Sequence, residues 1–305
     1  MKSLLAVLSV IFAIVVLWYI ACVPMNIKGV LTEAERAGAV VVPAEAKVRR
    51  DMSAFGLVMA NQFVIPATWE QARPRLPAPH QVVTELWQTT VQKKITSKRS
   101  LVYHGWVTLS ATLLGFAIGT GLGVLLAVGI VHSRVMDMSV MPWAIVSQTI
   151  PIIALAPMII VVLYSIGVQG IIPKAVISAY LSFFPVVVGM VKGLRSPDAM
   201  QLDLLRTYNA SQGQGFWKLR LPASAPYLFA SLKIGIAASL IGAIVGELPT
   251  GAVAGLGARL LAGSYYGQTV QIWSALFAAA ILAATLVGLL GLIERAVLAR
   301  MGIAR

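Results

Sequence analysis

Few residues in this 305-residue chain could carry chemistry by themselves. The three histidines, His80, His104 and His132, lie far apart, with no acidic partners at metal-ligand spacing, so no metal site is expected. Cys22 is the single cysteine, which rules out an intramolecular disulfide and a cysteine metal cluster. The glycine-rich stretch from Gly251 to Gly267 lacks a preceding strand and the lysine of a phosphate-binding loop. The chain itself is therefore expected to be no enzyme and to hold no ATP or other cofactor. Glu247 closes an apolar run and is followed by Pro249-Thr250-Gly251. An acid at membrane depth is expensive and marks a functional site by default. The competing reading puts it at the outer boundary, paired with Arg259 or capping the next short helix. Gln148 and Thr149 stand beside Pro151 inside another apolar run. Carbonyls freed by proline must face protein or water, so Gln148, Thr149, Pro151 and Glu247 are the candidates to line a path. Kinks that serve only helix packing are the alternative.

A polar segment trapped between two apolar spans runs from Arg195 to Pro226, RSPDAMQLDLLRTYNASQGQGFWKLRLPASAP. It holds Arg206, Lys218 and Arg220, a helical pattern broken at Asn209, and a Leu221-Pro222 step. Its composition suits docking onto another protein. A membrane subunit without catalytic groups must draw its energy from a partner, and this segment is where the connection is expected.

The elements that position these residues follow from composition. Hydrophobic residues make up 58% of the chain and charged ones 11%, against about 25% charged in a soluble domain; mean hydropathy is +0.85. Crossing a bilayer as a helix takes about 20 mostly apolar residues. Six stretches qualify: Leu4–Cys22, Trp106–Val131, Trp143–Tyr164, Ala175–Val191, Tyr227–Glu247 and Trp273–Ile293. The third is interrupted by Pro142, Pro151 and Pro157, the fourth by Pro185. Gly115, Gly119 and Gly123 recur every four residues in the second, a spacing that lets helix backbones approach closely. The fold class is all-α and polytopic, with about six transmembrane helices.

Charge sets the orientation. With a cytosolic N-terminus, the inner gaps and the tail hold Arg134, Lys192, Arg195, Arg206, Lys218, Arg220, Arg295, Arg300 and Arg305, while the short outer gaps hold only Lys174 and Arg259. That is the positive-inside pattern, so both termini are expected to be cytosolic. It also accounts for the net charge of +13 without nucleic acid. Residues 24–100 are basic yet placed outside, which long translocated segments tolerate. Residues 1–23 read as an uncleaved anchor: the apolar run is too long for a signal peptide and has no A-x-A site. Within 24–100, residues 44–50 suit a short helix, Pro74, Pro77 and Pro79 stop any helix, and Val82, Val83, Leu86, Trp87 and Val91 recur at helical spacing. That last pattern reads either as an amphipathic helix on the membrane surface or as a solvated linker helix.

Asp203-Leu204-Leu205-Arg206-Thr207-Tyr208-Asn209-Ala210-Ser211, followed by Phe216-Trp217-Lys218-Leu219-Arg220-Leu221-Pro222, resembles the EAA loop of ABC transporter permease subunits from the binding-protein-dependent importer family. HGWVTLSATLLGF at 104–116, SFFPVVVGMVKG at 182–193 and Leu76-Pro77-Ala78-Pro79 resemble its nitrate/sulfonate/taurine-type branch. The likeness covers roughly residues 76–300. The family's glutamate is Asp203 here, an alanine is Leu205, and the glycine between its two short helices is Asn209. Asparagine is the least costly replacement where φ must be positive. The larger Leu205 points to a particular ATPase surface.

The resemblance implies a permease core at 101–300, preceded by the extension at 24–100, with a cytosolic coupling loop at 194–226. It implies that Asp203, Leu204, Arg206, Thr207, Asn209 and Ala210 rest in a groove on an ATP-binding cassette ATPase, which would hold the ATP and Mg. Phe216 and Trp217 would anchor the loop to the membrane core or serve as interfacial belt residues. Implied partners are a second permease copy in a homodimer, a periplasmic substrate-binding protein, a small-molecule cargo and the lipid of the bacterial inner membrane. The alternative is a secondary transporter or channel working without an ATPase. Against it, the sequence shows no membrane-embedded ion pair, no repeat between halves and no filter.

Overall fold

The computed structural model describes residues 2–249 and 252–302; Thr250, Gly251 and Arg305 lie outside the described residues. Every regular element among the described residues is helical, because hydrocarbon offers no partner to an unpaired backbone group. Five helices are long and apolar enough to cross a bilayer, and a bent pair makes a sixth candidate. The chain divides into two compact units, Met1–Val102 with Arg259–Ala278, and Tyr103–Ala258 with Ala279–Arg305.

In the first unit, α1 (Lys2–Arg36) contains the expected anchor but continues through Pro24 to Arg36. Its first half is exposed along Leu4–Leu17, as suits lipid. Past Cys22 one face turns inward, and Ile27, Val30 and Leu31 form a small core with Val41, Leu57 and Val64. α3 (Ala54–Ala60) contributes Leu57 to that core, and α2 (Ala46–Asp51), α4 (Ala67–Glu70) and α5 (Pro79–Trp87) also contact α1. Asn26 organises the irregular chain between them. Its amide donates to Thr68 O (2.9 Å) and Leu76 O (2.8 Å) and accepts from Arg75 N (2.8 Å). Arg49, almost fully buried, pairs with Glu35. The extension at 24–100 therefore has a core and a polar hub, both shared with α1.

The second unit is entered by α6 (Leu101–His132), followed by α7 (Arg134–Ser147), α8 (Ile152–Ser165), α9 (Ile171–Leu194), α10 (Ala199–Thr207), α11 (Gln212–Gly215) and α12 (Leu221–Glu247). Two further helices, α13 (Leu256–Tyr265) and α14 (Thr269–Arg300), complete the chain. The expected third span, Trp143–Tyr164, is not one helix: α7 and α8 meet at a bend of 101°. Pro151 is the cause, since it has no N–H to continue the ladder and disfavours helical backbone at Ile150. Pro142, Pro157 and Pro185 stay inside continuous helices, so three of the four expected interruptions do not occur.

The centre of this unit is the contact of α9 with α6 and α12. A methyl group on Gly115 would lie 2.6 Å from Ala175 O, on Gly119 2.8 Å from Ala179 O, and on Gly123 2.9 Å from Phe183 O. The glycine stripe therefore packs α6 on α9 within one chain. Gly242 of α12 makes the reciprocal approach, its added methyl 2.7 Å from Ser178 Cα. Buried serines cross-link the three backbones: Ser178 Oγ donates to Ser239 O and Ser239 Oγ to Thr112 O, both at 2.8 Å. Small residues and hydroxyl donors hold membrane helices together where no hydrophobic force separates helix from lipid.

Candidate functional site

The 195–226 loop is ordered by local capping. Asp198 starts α10, its carboxylate accepting from Ala199 N (2.9 Å) while Gln201 Oε1 accepts from Asp198 N (3.1 Å), a reciprocal capping box. At the other end Asn209 has φ 52°, the sole non-glycine with positive φ among the described residues. Asn209 N donates to Arg206 O (2.9 Å) and Ala210 N to Leu205 O (3.0 Å). This is the Schellman closure that needs a left-handed residue after the helix, and it is the reason asparagine can stand there. Ser211 then opens α11 with a second box, Ser211 N donating to Gln214 Oε1 at 2.9 Å. The short helix α10 and the first turn of a continuous helix, Gln212–Glu247, of which α11 and α12 are parts, are thus set at a corner by their own sequence.

Anchors tie this corner to the membrane helices. Phe216 packs in a core with Ala127, Ile130, Val187, Met190 and Leu194 and meets His132 edge-on at 5.2 Å. Arg220 donates to Leu194 O (3.0 Å), satisfying a carbonyl at the end of α9, and Arg195 pairs with Asp137 at 2.9 Å. Trp217 points away, 66% exposed; of the two expected anchors only Phe216 is one. The π turn Phe216–Arg220, a local widening of the helix, then passes the chain into α12.

The candidate coupling residues fall on two sides. Asp203, Leu204, Arg206, Thr207 and Asn209 are exposed, and Ala210 is half-buried. Asp203 and Arg206 pair with each other at 3.0 Å. Met200, Leu204 and Tyr208, at four-residue spacing, make an exposed apolar stripe along α10. Leu205 is half-buried and lines, with Leu202, Val131 and Gly215, a cleft of about 290 Å³ that Arg206 and Ala210 also line. Sequence reasoning missed Met200 and Tyr208, although their period of four was readable.

The path candidates lie at the α7–α8 bend and at the end of α12. Gln148 ends α7 with its Nε2 buried and unpartnered. Thr149 bonds back to Val146 O at 2.8 Å, and Pro151 caps α8. Glu247, at the end of α12, is 0% exposed. It accepts from Thr108 Oγ1 (2.9 Å) and Gly257 N (2.8 Å), with Lys174 Nζ at 3.8 Å. Leu256 N donates to Thr108 Oγ1 (2.8 Å) and Gly255 N to His104 Nδ1 (2.9 Å). Three successive N–H groups at the start of α13 are met by three side chains, and a carboxylate there also suits the positive helix end. Capping of the next helix is the role the geometry supports, and its cation is Lys174. Thr108, His104 and Lys174 were absent from the sequence candidates; nothing local in their surroundings marks them. A second correction concerns charge inside the bundle: Lys233 of α12 pairs with Glu294 of α14, an ion pair the sequence reading did not find.

Residues 119–302, which include the capped corner, match the family of binding-protein-dependent transport system inner membrane components. The chain is 30% identical over 213 residues to a probable ABC transporter permease protein of Haemophilus influenzae, covering 70% of this chain and 84% of that one. It is 30% identical over 220 residues to the riboflavin transport system permease protein RibX of Chloroflexus aurantiacus, covering 72% and 78%. It is 33% identical over 183 residues to the formylaminopyrimidine transport permease protein ThiX of Halalkalibacterium halodurans, covering 60% and 68%. With spans, capped corner and family match in agreement, this chain belongs to the binding-protein-dependent transport inner membrane family, as a multi-pass ABC transporter permease.

Proposed function

We propose that this permease works as a homodimer in the bacterial inner membrane, with both termini cytosolic and α10–α11 seated on an ATP-binding cassette ATPase. The ATPase subunits bind ATP and Mg, a periplasmic binding protein delivers the cargo, and closure of the ATPases moves the corner as a rigid lever. The observation that carries this reading is the doubly capped corner at Asn209 with its exposed Met200–Leu204–Tyr208 stripe. A stiff element with an unpartnered apolar face is what transmission of force to a second protein requires. Asp203, Leu204, Arg206, Thr207, Asn209 and Ala210 make up this contact. Gln148 and Thr149, beside Pro151 at the α7–α8 bend, flank the path on this reading.

For the cargo we favour a nitrogen heterocycle of the flavin or pyrimidine type over a small inorganic anion. The relatives RibX and ThiX are named for riboflavin and formylaminopyrimidine. Lys174 and Lys233 of α9 and α12 face Glu247 and Glu294, so neither is a spare charge for an anion. The test is uptake into vesicles containing this chain, its ATPase and its binding protein. ATP-dependent accumulation of riboflavin or a pyrimidine supports the reading. Uptake without ATP, or of nitrate alone, defeats its energetic or its cargo half respectively. A reporter fused after Arg220 should read as cytosolic, and the mass of the purified complex should give two copies of this chain.

A further inference from the structure

Residues 79–99 of the first unit carry an outward face that the transport reading leaves unused. Along α5 and the π turn Gln88–Gln92 that continues it, Val83, Trp87 and Val91 are 64%, 59% and 58% exposed. They stand at four-residue spacing on one side. The other side is spent inside the unit, where Ala78, Val82 and Thr89 are buried. After Val91 come Lys93, Lys94, Ile95, Lys98 and Arg99, all exposed, with no acidic residue from Gln88 to Ser100. An apolar stripe flanked by a block of cations suits an interface between hydrocarbon and anionic phosphate.

Both ends of this segment sit at a membrane boundary, by two separate measures. About 20 residues of helix cover the hydrocarbon of a bilayer; counted along α1 from Leu4, that distance ends near Val23. The start of α5 is fastened to α1 at that level. Trp18 Nε1 donates to Pro77 O (2.9 Å), and Tyr19 Oη meets His80 Nδ1 at 3.0 Å, with the two rings stacked. At the far end, Arg99 lies two residues before Leu101, where the span Leu101–His132 begins. A segment pinned to the boundary at both ends runs along it.

We infer that residues 79–99 form an interfacial platform whose Val83–Trp87–Val91 face lies in the acyl boundary and whose Lys93, Lys94 and Arg99 bind the headgroups of anionic phospholipid. The occupant is lipid rather than protein because the segment is joined in the chain to a membrane span before it and another after it, and the charge that follows its apolar face, Lys93 to Arg99, is wholly positive. The platform depends on the spans, not on the ATPase or the cargo.

The experiment uses the full chain in phosphatidylcholine vesicles with and without phosphatidylglycerol. Spin labels are placed singly at Val83→Cys, Val91→Cys and Lys94→Cys on a Cys22→Ala background. Labels at 83 and 91 should be relaxed by oxygen and shielded from a soluble nickel chelate, and the label at 94 should show the reverse. Spin-labelled phosphatidylglycerol should associate more strongly than spin-labelled phosphatidylcholine. The triple variant Lys93→Gln, Lys94→Gln, Arg99→Gln should weaken that preference, by up to about a hundredfold if each cation near the surface is worth a factor of roughly five. Should the Cys22 background fail to fold, brominated lipid applied to the wild type and to Trp87→Phe reports the same depth. Labels at 83 and 91 open to nickel in vesicles, or lipid preference unchanged in the triple variant, would overturn the inference. Shielding that develops only when the binding protein is added would overturn it too, making the face a protein contact.

Discussion

At the end of α9 the chain leaves the bundle through exposed, locally capped helices, whereas at the end of α12 it is tied back by buried side chains. The first corner is closed by bonds between residues at most five apart, such as Ala210 N to Leu205 O. The second is closed by Thr108 reaching Glu247 across 139 positions of sequence. A corner built from local bonds keeps its shape whatever its surroundings do, and can move as a body while its outer face stays available. A corner built from buried, distant partners cannot shift without breaking charge and hydrogen bonds at once. One is suited to be a lever, the other a fixed point.

The comparison breaks most easily at the fixed point. Glu247→Ala leaves Lys174 buried without its acid and Gly257 N without an acceptor; stranding a buried charge costs roughly 3–5 kcal/mol. Thermal unfolding in detergent should show a large loss, and an unchanged midpoint would mean that the corner is not structural.

A smaller loss is expected at the helix contact. Gly119→Ala forces a methyl to 2.8 Å from the Ala179 carbonyl, and overpacking of this kind costs about 1–3 kcal/mol. Gly121→Ala, where nothing lies within 4 Å, is the control and should be neutral or stabilising. Equal behaviour of the two would remove the close approach of α6 and α9 from the account. Ser239→Ala deletes one donor of the buried cross-link, and about 1 kcal/mol is expected, read by the same unfolding measurement.

The smallest effect on stability should accompany the largest effect on transport. Leu204→Asp places a charge on the exposed stripe and should change stability by no more than about 0.5 kcal/mol, while abolishing ATPase binding and uptake. Asn209→Pro removes the N–H that closes on Arg206 and forbids positive φ, and should uncouple hydrolysis from uptake; Asn209→Gly, which keeps the backbone, should preserve both. Arg206→Glu should act like Leu204→Asp, through charge rather than bulk. If these loop variants transport normally in reconstituted vesicles, the lever assignment fails while the family assignment stands.

How much of this was readable in advance depended on distance along the chain. Each expected span lies inside an observed helix except the third, because hydropathy is a local sum over about 20 residues. The break at Asn209 was readable because positive φ is a property of one residue. The continuation of α1 to Arg36 was not, since that half is held by Val41, Leu57 and Val64 from a later segment. Nor was the choice among prolines: Pro142, Pro157, Pro185 and Pro151 look alike in sequence, and only the last breaks its helix.

The residues by themselves determined that this chain crosses a membrane several times as helices, and that a polar loop bends at Asn209. These follow from transfer energies and backbone preferences, which act within a turn or a span. Tertiary structure alone decided that Gly115, Gly119 and Gly123 meet α9, and that Leu205 is half-buried while Leu204 is exposed. It alone decided that Glu247 finds Thr108 and Lys174, and that Lys233 finds Glu294. Those outcomes depend on which helices become neighbours, and a buried charge is tolerable only where the fold brings it a partner.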